Sequence, residues 1–355
     1  MAWVEDLAVR DFRNIREAAL ELHPGLNVFH GRNAQGKTSL LEAVGVLARG
    51  RSFRTEDQPS MIRHGASALL ARGRDGDRAG GAQLEVELRP ERRVFRVDGR
   101  DVAPREYSGR LEVVVYSTDR LRVVRGSMRD RRQFLDRQAA SLWPSYRAEL
   151  RGFERLLAQR NAALESRAAE QEVWTERFIE SGSRLRRRRW QYAQRLTSAL
   201  AEGFRPAGET YEVRPSARPA SEPEASRELA SELAQLAAHE RAAGRSLAGP
   251  QRDQVALLLD GRDAGEAASS GQARSLLLAL ALAALRVYHE ETGRAAVALL
   301  DDLDSELDEG RAGALCEQVA RRGQALVTSA HQRWAEGLRA LGRVFQVAEG
   351  RVRVA

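Results

Sequence analysis

Cysteine, lysine and long apolar runs are scarce in this 355-residue chain, and each scarcity excludes a class of protein. Cys316 is the single cysteine, which excludes an intramolecular disulfide and a cysteine-ligated metal cluster. The longest apolar run, Leu276–Leu285, is too short to span a membrane. The opening residues, MAWVEDLAVRDF, lack the basic and apolar segments of an export signal. These features predict a cytoplasmic protein.

The basic residues are almost all arginine. Of the 57 Lys and Arg residues, only Lys37 is a lysine, which indicates a constraint against a guanidinium at that position. The formal net charge of +7 favours polyanionic partners such as nucleic acid. Hydrophobic residues make up 43% of the chain, enough for the core of one large domain or two ordinary ones.

Lys37 belongs to a segment, Gly31–Thr38, that fits the phosphate-loop pattern G-x-x-x-x-G-K-[ST]. The segment lies between a predicted strand, Leu26–His30, and a predicted helix, Thr38–Ala48, as that pattern requires. Glycines let backbone N–H groups turn towards phosphates, the Lys37 ammonium contacts the terminal phosphates, and the Thr38 hydroxyl is a Mg²⁺ ligand. The pattern therefore predicts an ATP–Mg²⁺ site. Its predicted nucleotide-binding residues are Gly31, Arg32, Asn33, Ala34, Gln35, Gly36, Lys37, Thr38 and Ser39.

A second predicted strand, Val297–Leu300, is followed at once by two carboxylates. In a phosphate-loop ATPase, Asp301 is a Mg²⁺ ligand at the strand's carboxyl end, and Asp302 orients or deprotonates the attacking water. Taken alone, the pattern also fits a buried strand that ends in an acidic turn. Because Lys37 and Asp301 stand far apart in the chain, we expect an insertion between two halves of one ATPase.

Period-two alternation and helical spacing predict the remaining elements. Further strands are predicted at Val4–Phe12, Ala18–Leu22, Leu69–Arg72, Leu84–Arg89, Val94–Val97, Leu111–Tyr116, Val255–Asp260, Ala325–Thr328 and Val344–Val354, with hairpin turns at Asp98-Gly99 and Asp260-Gly261. Helices are predicted at Ala225–Ala243, Ser275–Glu291 and Arg311–Arg322. Asp130–Gly203 is interpreted as two long helices joined near Ala168–Glu172, and Arg205–Glu224 as a connecting loop.

These motifs follow one another in the order of a known family. The chain resembles RecF proteins, which belong with the SMC, Rad50 and ABC-type ATPases. The resemblance covers essentially the whole chain and rests on LxVRDFRNI, GRNAQGKTSLLEA, GRSFRT, MIRHG, GPQRD, SSGQARSLLLALALA and LLDDLDSELD. It implies an α/β ATPase head of ABC/SMC type, with mixed sheets and an inserted helical lobe. The implied divisions are residues 1–125 and 206–355 for the head and 126–205 for the lobe.

The resemblance also implies roles for particular residues. The residues similar to the ABC signature, which contacts the γ-phosphate held by the other subunit, are Ser269, Ser270, Gly271 and Gln272. A helix N-cap is the alternative for Ser269. Asp304–Asp308 resembles the D-loop at a dimer interface, with an ordinary acidic turn as the alternative. His331 fits the switch histidine and Arg13 a nucleotide-contacting arginine, although a histidine after a strand also fits a structural role. The implied catalytic set is Lys37, Asp301, Asp302 and His331.

Two features depart from the ABC pattern. Asp302 stands where ABC-type enzymes usually have Glu, and its shorter side chain suits slow, switch-like hydrolysis. A Q-loop glutamine is not apparent, and Tyr116–Asp119 is the region where it is expected.

Arginines supply candidate DNA contacts, but no base-reading motif accompanies them. Five arginines lie within Arg184–Arg189, although a helix spreads them around its circumference. Further candidates for the same groove are Arg129, Arg131, Arg132 and Arg137, and Arg51 and Arg54 are candidates for coupling DNA to the ATP site. A solvated or ion-paired arginine is the alternative at each position. The sequence therefore predicts binding to double-stranded DNA without sequence specificity.

The resemblance implies a slow ATPase that forms an ATP-dependent homodimer on DNA and becomes nucleoid-associated there. Its implied work is recombinational repair and replication at gapped or stalled DNA, including the SOS response, with RecR and RecO helping RecA to load. Two alternatives remain. One is a transport-type ABC ATPase subunit, which would need a membrane partner, and the other is a nucleotide-gated DNA-binding module with negligible turnover.

Overall fold

The computed structural model describes residues 3–76, 81–167, 171–303 and 307–355. The chain divides into two compact units. The first comprises Met1–Leu121 together with Tyr288–Ala355, and the second comprises Arg122–Val287. Within the described ranges, no helix has both the length and the apolarity that a bilayer span requires.

The helices and strands alternate in the order of an α/β protein with an inserted helical lobe, as predicted. In chain order the strands are β1 Val4–Phe12, β2 Ile15–Glu21, β3 Leu26–His30, β4 Leu69–Asp75, β5 Gln83–Leu88, β6 Arg93–Val97, β7 Arg100–Val102, β8 Val113–Tyr116, β9 Tyr211–Pro215, β10 Val255–Leu259, β11 Arg262–Asp263, β12 Val297–Leu300, β13 Ala325–Ser329, β14 Gly342–Ala348 and β15 Arg351–Val354. The helices are α1 Lys37–Arg49, α2 Pro104–Tyr107, α3 Arg122–Arg125, α4 Met128–Leu142, α5 Tyr146–Ser166, α6 Gln171–Ala201, α7 Glu222–Ala243, α8 Ala264–Ala267, α9 Ser270–Thr292, α10 Glu309–Ala320 and α11 Gln332–Gly337.

The first unit contains two six-stranded sheets that share one hydrophobic core with α1. One sheet is antiparallel, in the order β2-β1-β4-β5-β6-β7. The other has the order β15-β14-β3-β13-β12-β8, with parallel pairing throughout except for the antiparallel edge strand β15. Because α1 is buried on almost every side, its apolar residues extend around the whole helix.

The parallel strands of the second sheet end together. His30 at the end of β3 pairs with Ser329 at the end of β13, and Leu300 at the end of β12 pairs with Tyr116 at the end of β8. The segments that follow these strands therefore emerge at one edge of the sheet, where α/β proteins commonly bind ligands. This edge carries the phosphate-loop segment and Asp301.

The second unit contains the helical lobe and a three-stranded antiparallel sheet, in the order β11-β10-β9. The stretch predicted as two helices forms three, since the chain breaks between α4 and α5 at Trp143–Ser145. Trp143 has an extended backbone, as the residue before Pro144 is expected to have. The junction predicted near Ala168–Glu172 is correct, because α5 ends at Ser166 and α6 begins at Gln171.

The prediction that Arg205–Glu224 is only a loop is wrong, because the segment contains β9. Its alternate residues Tyr211, Val213 and Pro215 are buried, while the strand pairs along its length with β10. The Thr197 hydroxyl in α6 also donates to the Val213 carbonyl and accepts from its N–H. These bonds join β9 and β10 to α6 of the lobe. The compact second unit extends to Val287, whereas the sequence division assigned residues 206–355 to the head.

Candidate nucleotide-binding site

The loop between β3 and α1 has a backbone that requires its glycines. A Cβ on Gly31 would lie 2.1 Å from the Val347 carbonyl oxygen, so no larger residue fits there. Gly36, with φ of 112°, caps α1 in a left-handed conformation that L side chains rarely adopt. Both glycines of the sequence pattern therefore have a structural reason, and the loop turns sharply into the N-terminus of a helix.

Lys37 lies inside this loop. Its side chain is 5% exposed, and Nζ donates to the Gly31 carbonyl at 2.7 Å and to the Arg32 carbonyl at 3.1 Å. An ammonium is compact enough for this position, whereas a planar guanidinium would require a wider loop. Beside the loop lies an open groove whose lining residues are Arg32, Asn33, Gln35 and Ala330. A cation held inside the loop and a helix that begins at its end are two features that favour the binding of phosphate groups.

Two turns support the loop from outside. In the β1–β2 turn, the Asn14 amide donates to the Ala34 carbonyl at 3.2 Å, and its oxygen accepts from the Ser39 hydroxyl at 3.2 Å. In the β14–β15 turn, the Glu349 N–H donates to Gln35 Oε1 at 2.6 Å, and the Gly350 N–H donates to the Gln35 carbonyl at 3.1 Å. The loop is therefore held by segments from both ends of the chain.

Three hydroxyl groups converge on the Asp301 carboxylate, which is 4% exposed. Thr38 Oγ1 and Thr328 Oγ1 donate to Asp301 Oδ1 at 2.9 and 2.8 Å, and Ser117 Oγ donates to Oδ2 at 3.2 Å. Burial raises the pKa of the Asp301 carboxyl above its ordinary value, while these hydrogen bonds counter part of the rise. A hydroxyl and a carboxylate side by side beneath a phosphate loop fit a Mg²⁺ ion, which prefers oxygen ligands and shares them with substrate phosphates. Thr38 and Asp301 would hold that ion.

Asp302 and His331 follow β12 and β13 at the same sheet edge. Asp302 has a positive φ of 51°, and its N–H donates to the Thr328 hydroxyl at 2.8 Å. Its backbone is therefore fixed in an uncommon conformation for a residue other than glycine, as is frequent at functional sites. His331 is exposed, and its N–H donates to the Ser329 hydroxyl at 2.9 Å just before α11.

Arg13 and Arg54 share a partner that the sequence reasoning did not identify. Arg13 donates to both oxygens of Glu42 in α1, at 3.0 and 2.8 Å, and to the Ser60 carbonyl at 3.0 Å. Arg54 approaches the same carboxylate at 3.6 Å and pairs with Asp119 at 2.7 Å. In the sequence, the one feature that distinguishes Glu42 is that it is a charged residue between apolar residues of α1.

The signature-like residues form the N-terminus of α9 in the second unit. Ser269 and Gln272 cap it reciprocally: the Ser269 N–H donates to Gln272 Oε1 at 3.0 Å, and the Gln272 N–H donates to Ser269 Oγ at 3.2 Å. The alternative of a helix cap is therefore realised, and Ser269, Ser270 and Gly271 are also exposed. The guanidinium of Arg125 donates to the Ala268 carbonyl at 3.2 Å beside them.

The D-loop prediction falls mostly outside the described residues, since Asp304, Ser305 and Glu306 are not among them. Asp308, the last residue of the predicted segment, caps α10 by accepting from the Arg311 N–H at 2.9 Å. This cap is the ordinary role of an aspartate at a helix start.

Comparison with known proteins yields one consistent family. The family model described as the RecF/RecN/SMC N-terminal domain matches residues 3–353. A DNA replication and repair protein RecF from Symbiobacterium thermophilum is 36% identical and aligns over 92% of this chain and 91% of its own length. The RecF of an Anaeromyxobacter strain is also 36% identical, over 97% and 96%. This chain belongs to the RecF family.

Solved structures agree with this RecF-family assignment. The recombination mediator protein RecF of the RecFOR pathway, in a structure described as RecF-ATPrS, superposes with a TM-score of 0.87 at 25% identity, covering 99% of this chain and 98% of that one. An SMC head domain with an extended coiled coil from Pyrococcus furiosus gives a TM-score of 0.60 at 15% identity, over 100% and 96%, and so shares the fold. The predicted ABC/SMC-type α/β head is confirmed.

Within this RecF-family chain, two arginines of the run Arg184–Arg189 are buried. Arg186 is 3% exposed and pairs with Asp253 at 2.6 Å, and Arg189 is 5% exposed and pairs with Asp136 at 2.7 Å. Of the two readings of these candidates, DNA contact or an ion-paired arginine, the ion pair is the one found at Arg186 and Arg189, whose charges are used inside the lobe. Arg131, a further candidate, is likewise buried and pairs with Asp263 at 2.6 Å.

The remaining arginines of the run have partners of other kinds. Arg184 forms an exposed pair with Glu180 at 2.8 Å, and Arg187 donates to the Pro219 carbonyl at 3.1 Å. Arg188 lies 4.8 Å from the centre of the Trp143 ring. Arg184, Arg187 and Arg188 are all half-buried, and the residues between them, Leu185 and Arg186, are buried, so a continuous basic stripe does not follow from the run.

Proposed function

We propose that this chain is an ATP-dependent DNA-binding protein that works in recombinational repair of gapped or stalled DNA. One observation carries the proposal: the Thr38 hydroxyl and the Asp301 carboxylate, distant in sequence, lie 2.9 Å apart beside Lys37. This is the ligand pair that a nucleotide-bound Mg²⁺ needs. RecF relatives named for DNA replication and repair, and a RecF-ATPrS structure described as a recombination mediator, support the assignment to repair.

In this proposal the chain hydrolyses ATP slowly. Lys37 and the loop N–H groups hold the phosphate oxygens, and Mg²⁺, when bound, neutralises charge that develops on them. The Asp302 carboxylate orients a water and accepts its proton as the water oxygen attacks the γ-phosphorus and ADP leaves. His331 contacts the γ-phosphate from the end of β13. The short side chain of Asp302 extends less far than Glu, which fits a slow switch.

The proposed switch is a homodimer with shared sites. The exposed N-terminus of α9, with Ser269, Ser270, Gly271 and Gln272, contacts the γ-phosphate bound by the partner copy. The closed dimer binds double-stranded DNA without sequence specificity, engages a RecR-type partner and aids recombinase loading. These steps place the protein in the cytoplasm, on the nucleoid.

Mixing two variants tests the shared site. Lys37→Arg disables the phosphate loop and keeps the signature, whereas Ser269→Arg does the reverse. In sedimentation velocity we expect wild type to dimerise only with ATP and Mg²⁺, and each variant alone to stay monomeric. An equal mixture should recover dimers, because each mixed dimer contains one complete site. Ser231→Arg, at an exposed serine of α7 in the same unit, is the control and should behave as wild type. A wild type that stays monomeric with ATP, or a mixture that recovers no dimer, would contradict the shared site.

A further inference from the structure

Glu42 is the one carboxylate in the middle of α1, and it is completely buried. Both of its oxygens are used. Arg13 Nε donates to Oε2 at 3.0 Å, Arg13 Nη2 donates to Oε1 at 2.8 Å, and the Ser52 hydroxyl donates to Oε1. Arg54 Nη1 adds a longer contact to Oε2 at 3.6 Å. A buried charge is tolerated only when it is paired and hydrogen-bonded, so these groups are held firmly around Glu42.

The first connection from Glu42 leads to the phosphate loop. Arg13 belongs to the β1–β2 turn and has a positive φ of 54°, a conformation that a residue other than glycine keeps only when its surroundings impose it. The next residue is Asn14, whose side chain bonds the loop at the Ala34 carbonyl and the Ser39 hydroxyl. A Cβ on Gly36 would lie 3.1 Å from Asn14 Oδ1, so Asn14 also packs tightly against the loop. A continuous set of contacts thus runs from Glu42 through the turn to the loop.

The second connection leads towards Asp301, the residue that follows β12. The Ser52 hydroxyl that donates to Glu42 also accepts from the N–H groups of Arg54 and Thr55, at 2.9 and 3.0 Å. The Arg54 guanidinium then pairs with Asp119, which stands two residues after Ser117, a hydrogen-bond partner of Asp301. Glu42 therefore ties the 50–60 segment and the end of β8 to the same helix that follows the phosphate loop.

A second ion pair of α1 provides a natural contrast. Arg49, at the far end of the helix, pairs with the buried Glu112 and donates to the Val113 carbonyl. The two pairs are alike in burial, since the arginines are 22% and 20% exposed and the carboxylates 0% and 5%. The two ion pairs differ in the part of the structure to which they connect α1. The contacts of Arg49 with Glu112 and Val113 fasten the helix end to β8, whereas the Glu42 pair reaches the phosphate loop.

We infer that Glu42 is a positioning residue for the phosphate loop, which it acts on through Arg13 and Asn14. In its absence α1 would still begin at Lys37, but the β1–β2 turn would no longer hold Asn14 against Ala34 and Ser39. The loop would then lose one of its two outer supports and bind nucleotide less tightly. The inference rests on the proposed function, because it requires that the loop binds ATP.

Two matched variants and a double-mutant cycle test this role. Glu42→Gln removes the carboxylate partner of Arg13 in the β1–β2 turn, and Glu112→Gln removes that of Arg49 in α1. The two carboxylates are buried to a similar extent. We expect Glu42→Gln to weaken binding of a fluorescent ATP analogue with Mg²⁺ by about tenfold, on the scale of lost outer-shell contacts, and Glu112→Gln by less than about twofold. The KM for ATP should rise with little change in kcat, because Lys37, Thr38 and Asp301 are untouched. The double variant Glu42→Gln/Asn14→Ala should bind no more weakly than the weaker single variant, since both changes remove one support.

Each other outcome overturns the inference. Equal losses of affinity in Glu42→Gln and Glu112→Gln would show a general effect of α1 stability, and additive losses in the double variant would exclude the route through Asn14. If Glu42→Gln does not fold, the arginine of each ion pair can be changed instead, since both arginines are partly exposed. Arg13→Gln should then bind the ATP analogue more weakly than Arg49→Gln, and equal affinities of these two variants would overturn the inference. Wild type that binds no ATP would defeat the proposed function itself, whereas wild-type affinity retained in Glu42→Gln would defeat only this inference.

Discussion

Asp301 is placed where folding and ligand binding make opposite demands. Its carboxylate is buried with Asp302 beside it, and desolvation raises its pKa. A carboxyl whose folded pKa lies above the unfolded value stabilises the fold only while it is protonated. That contribution is present below the ordinary value of 3.8 and is lost as pH rises through the folded pKa. At neutral pH the ionised Asp301 therefore destabilises the nucleotide-free protein, and a bound cation would reverse this effect.

Substitution of Asp301 by Asn should separate the two demands. We expect the nucleotide-free variant to unfold at a temperature roughly 2–4 °C higher than wild type at pH 7, because the buried charge is gone. The amide oxygen can still accept from Thr38 and Thr328. The difference should shrink as pH falls towards 4, and the variant should lose the stabilisation that ATP and Mg²⁺ give to wild type. Scanning calorimetry across pH measures both effects.

Asp98→Asn is the control for that experiment, because Asp98 is an exposed turn residue with a positive φ that Asn also tolerates. Its unfolding temperature should stay close to wild type at every pH. An Asp301→Asn variant that is less stable than wild type at neutral pH would contradict the assignment of Asp301 as a buried, destabilising charge.

At the scale of elements, the β14–β15 hairpin is joined to the phosphate loop by its turn. Glu349 and Gly350 have φ of 51° and 71°, and both N–H groups donate to Gln35. A Cβ on Gly350 would lie 2.3 Å from the Asn14 carbonyl oxygen. The turn is therefore pressed between the loop and the β1–β2 turn, which leaves no space for a side chain.

Gly350→Ala should consequently displace the turn. The Asp98-Gly99 turn between β6 and β7 is a matched control, because Gly99 has φ of 77° and nothing within 4 Å of an added Cβ. We expect Gly99→Ala to cost about 1 kcal/mol from left-handed strain alone. Gly350→Ala should cost about 2–3 kcal/mol and also weaken ATP binding, because the bonds to Gln35 are lost. Urea unfolding and ATP titration measure the two effects, and equal behaviour of the two variants would show that the Gly350 turn does not support the loop.

At the scale of the whole molecule, charge is abundant but much of it is used internally. The formal net charge is +7, yet Arg131, Arg160, Arg186 and Arg189 are all nearly fully buried. Each of them pairs with an Asp or Glu within 2.8 Å. The arginines available for a polyanion are therefore fewer than the composition indicates, and they belong to many separate elements.

DNA binding by the proposed dimer should depend on phosphates alone. With ATP and Mg²⁺, duplexes of unrelated sequence should bind with equal affinity, and that affinity should fall by roughly tenfold or more between 50 and 200 mM salt. Fluorescence anisotropy over a salt series measures the slope. Affinity that is independent of salt, or that follows the base sequence, would contradict a backbone-only contact.

Local signals determined much of this protein. Eight consecutive residues, Gly31–Thr38, were sufficient to predict a tight loop between β3 and α1 that requires its glycines, because the residues of the motif are neighbours along the chain. Strands β1, β3 and β12 were predicted with their observed bounds, since alternation or a short apolar run identifies each within a few residues. The break at Pro144 was also readable from the proline, although the two-helix interpretation passed over it.

Only the tertiary structure decided which charged residues are buried and which residue each of them pairs with. Arg186 meets Asp253 and Arg13 meets Glu42 across 67 and 29 positions, so no local pattern identifies these partners. The β9 strand was missed for the same reason, because it becomes a strand by pairing with β10. Sequence reports the preferences of neighbouring residues, whereas the desolvation that makes a distant ion pair or a strand partner necessary exists only once the chain has folded.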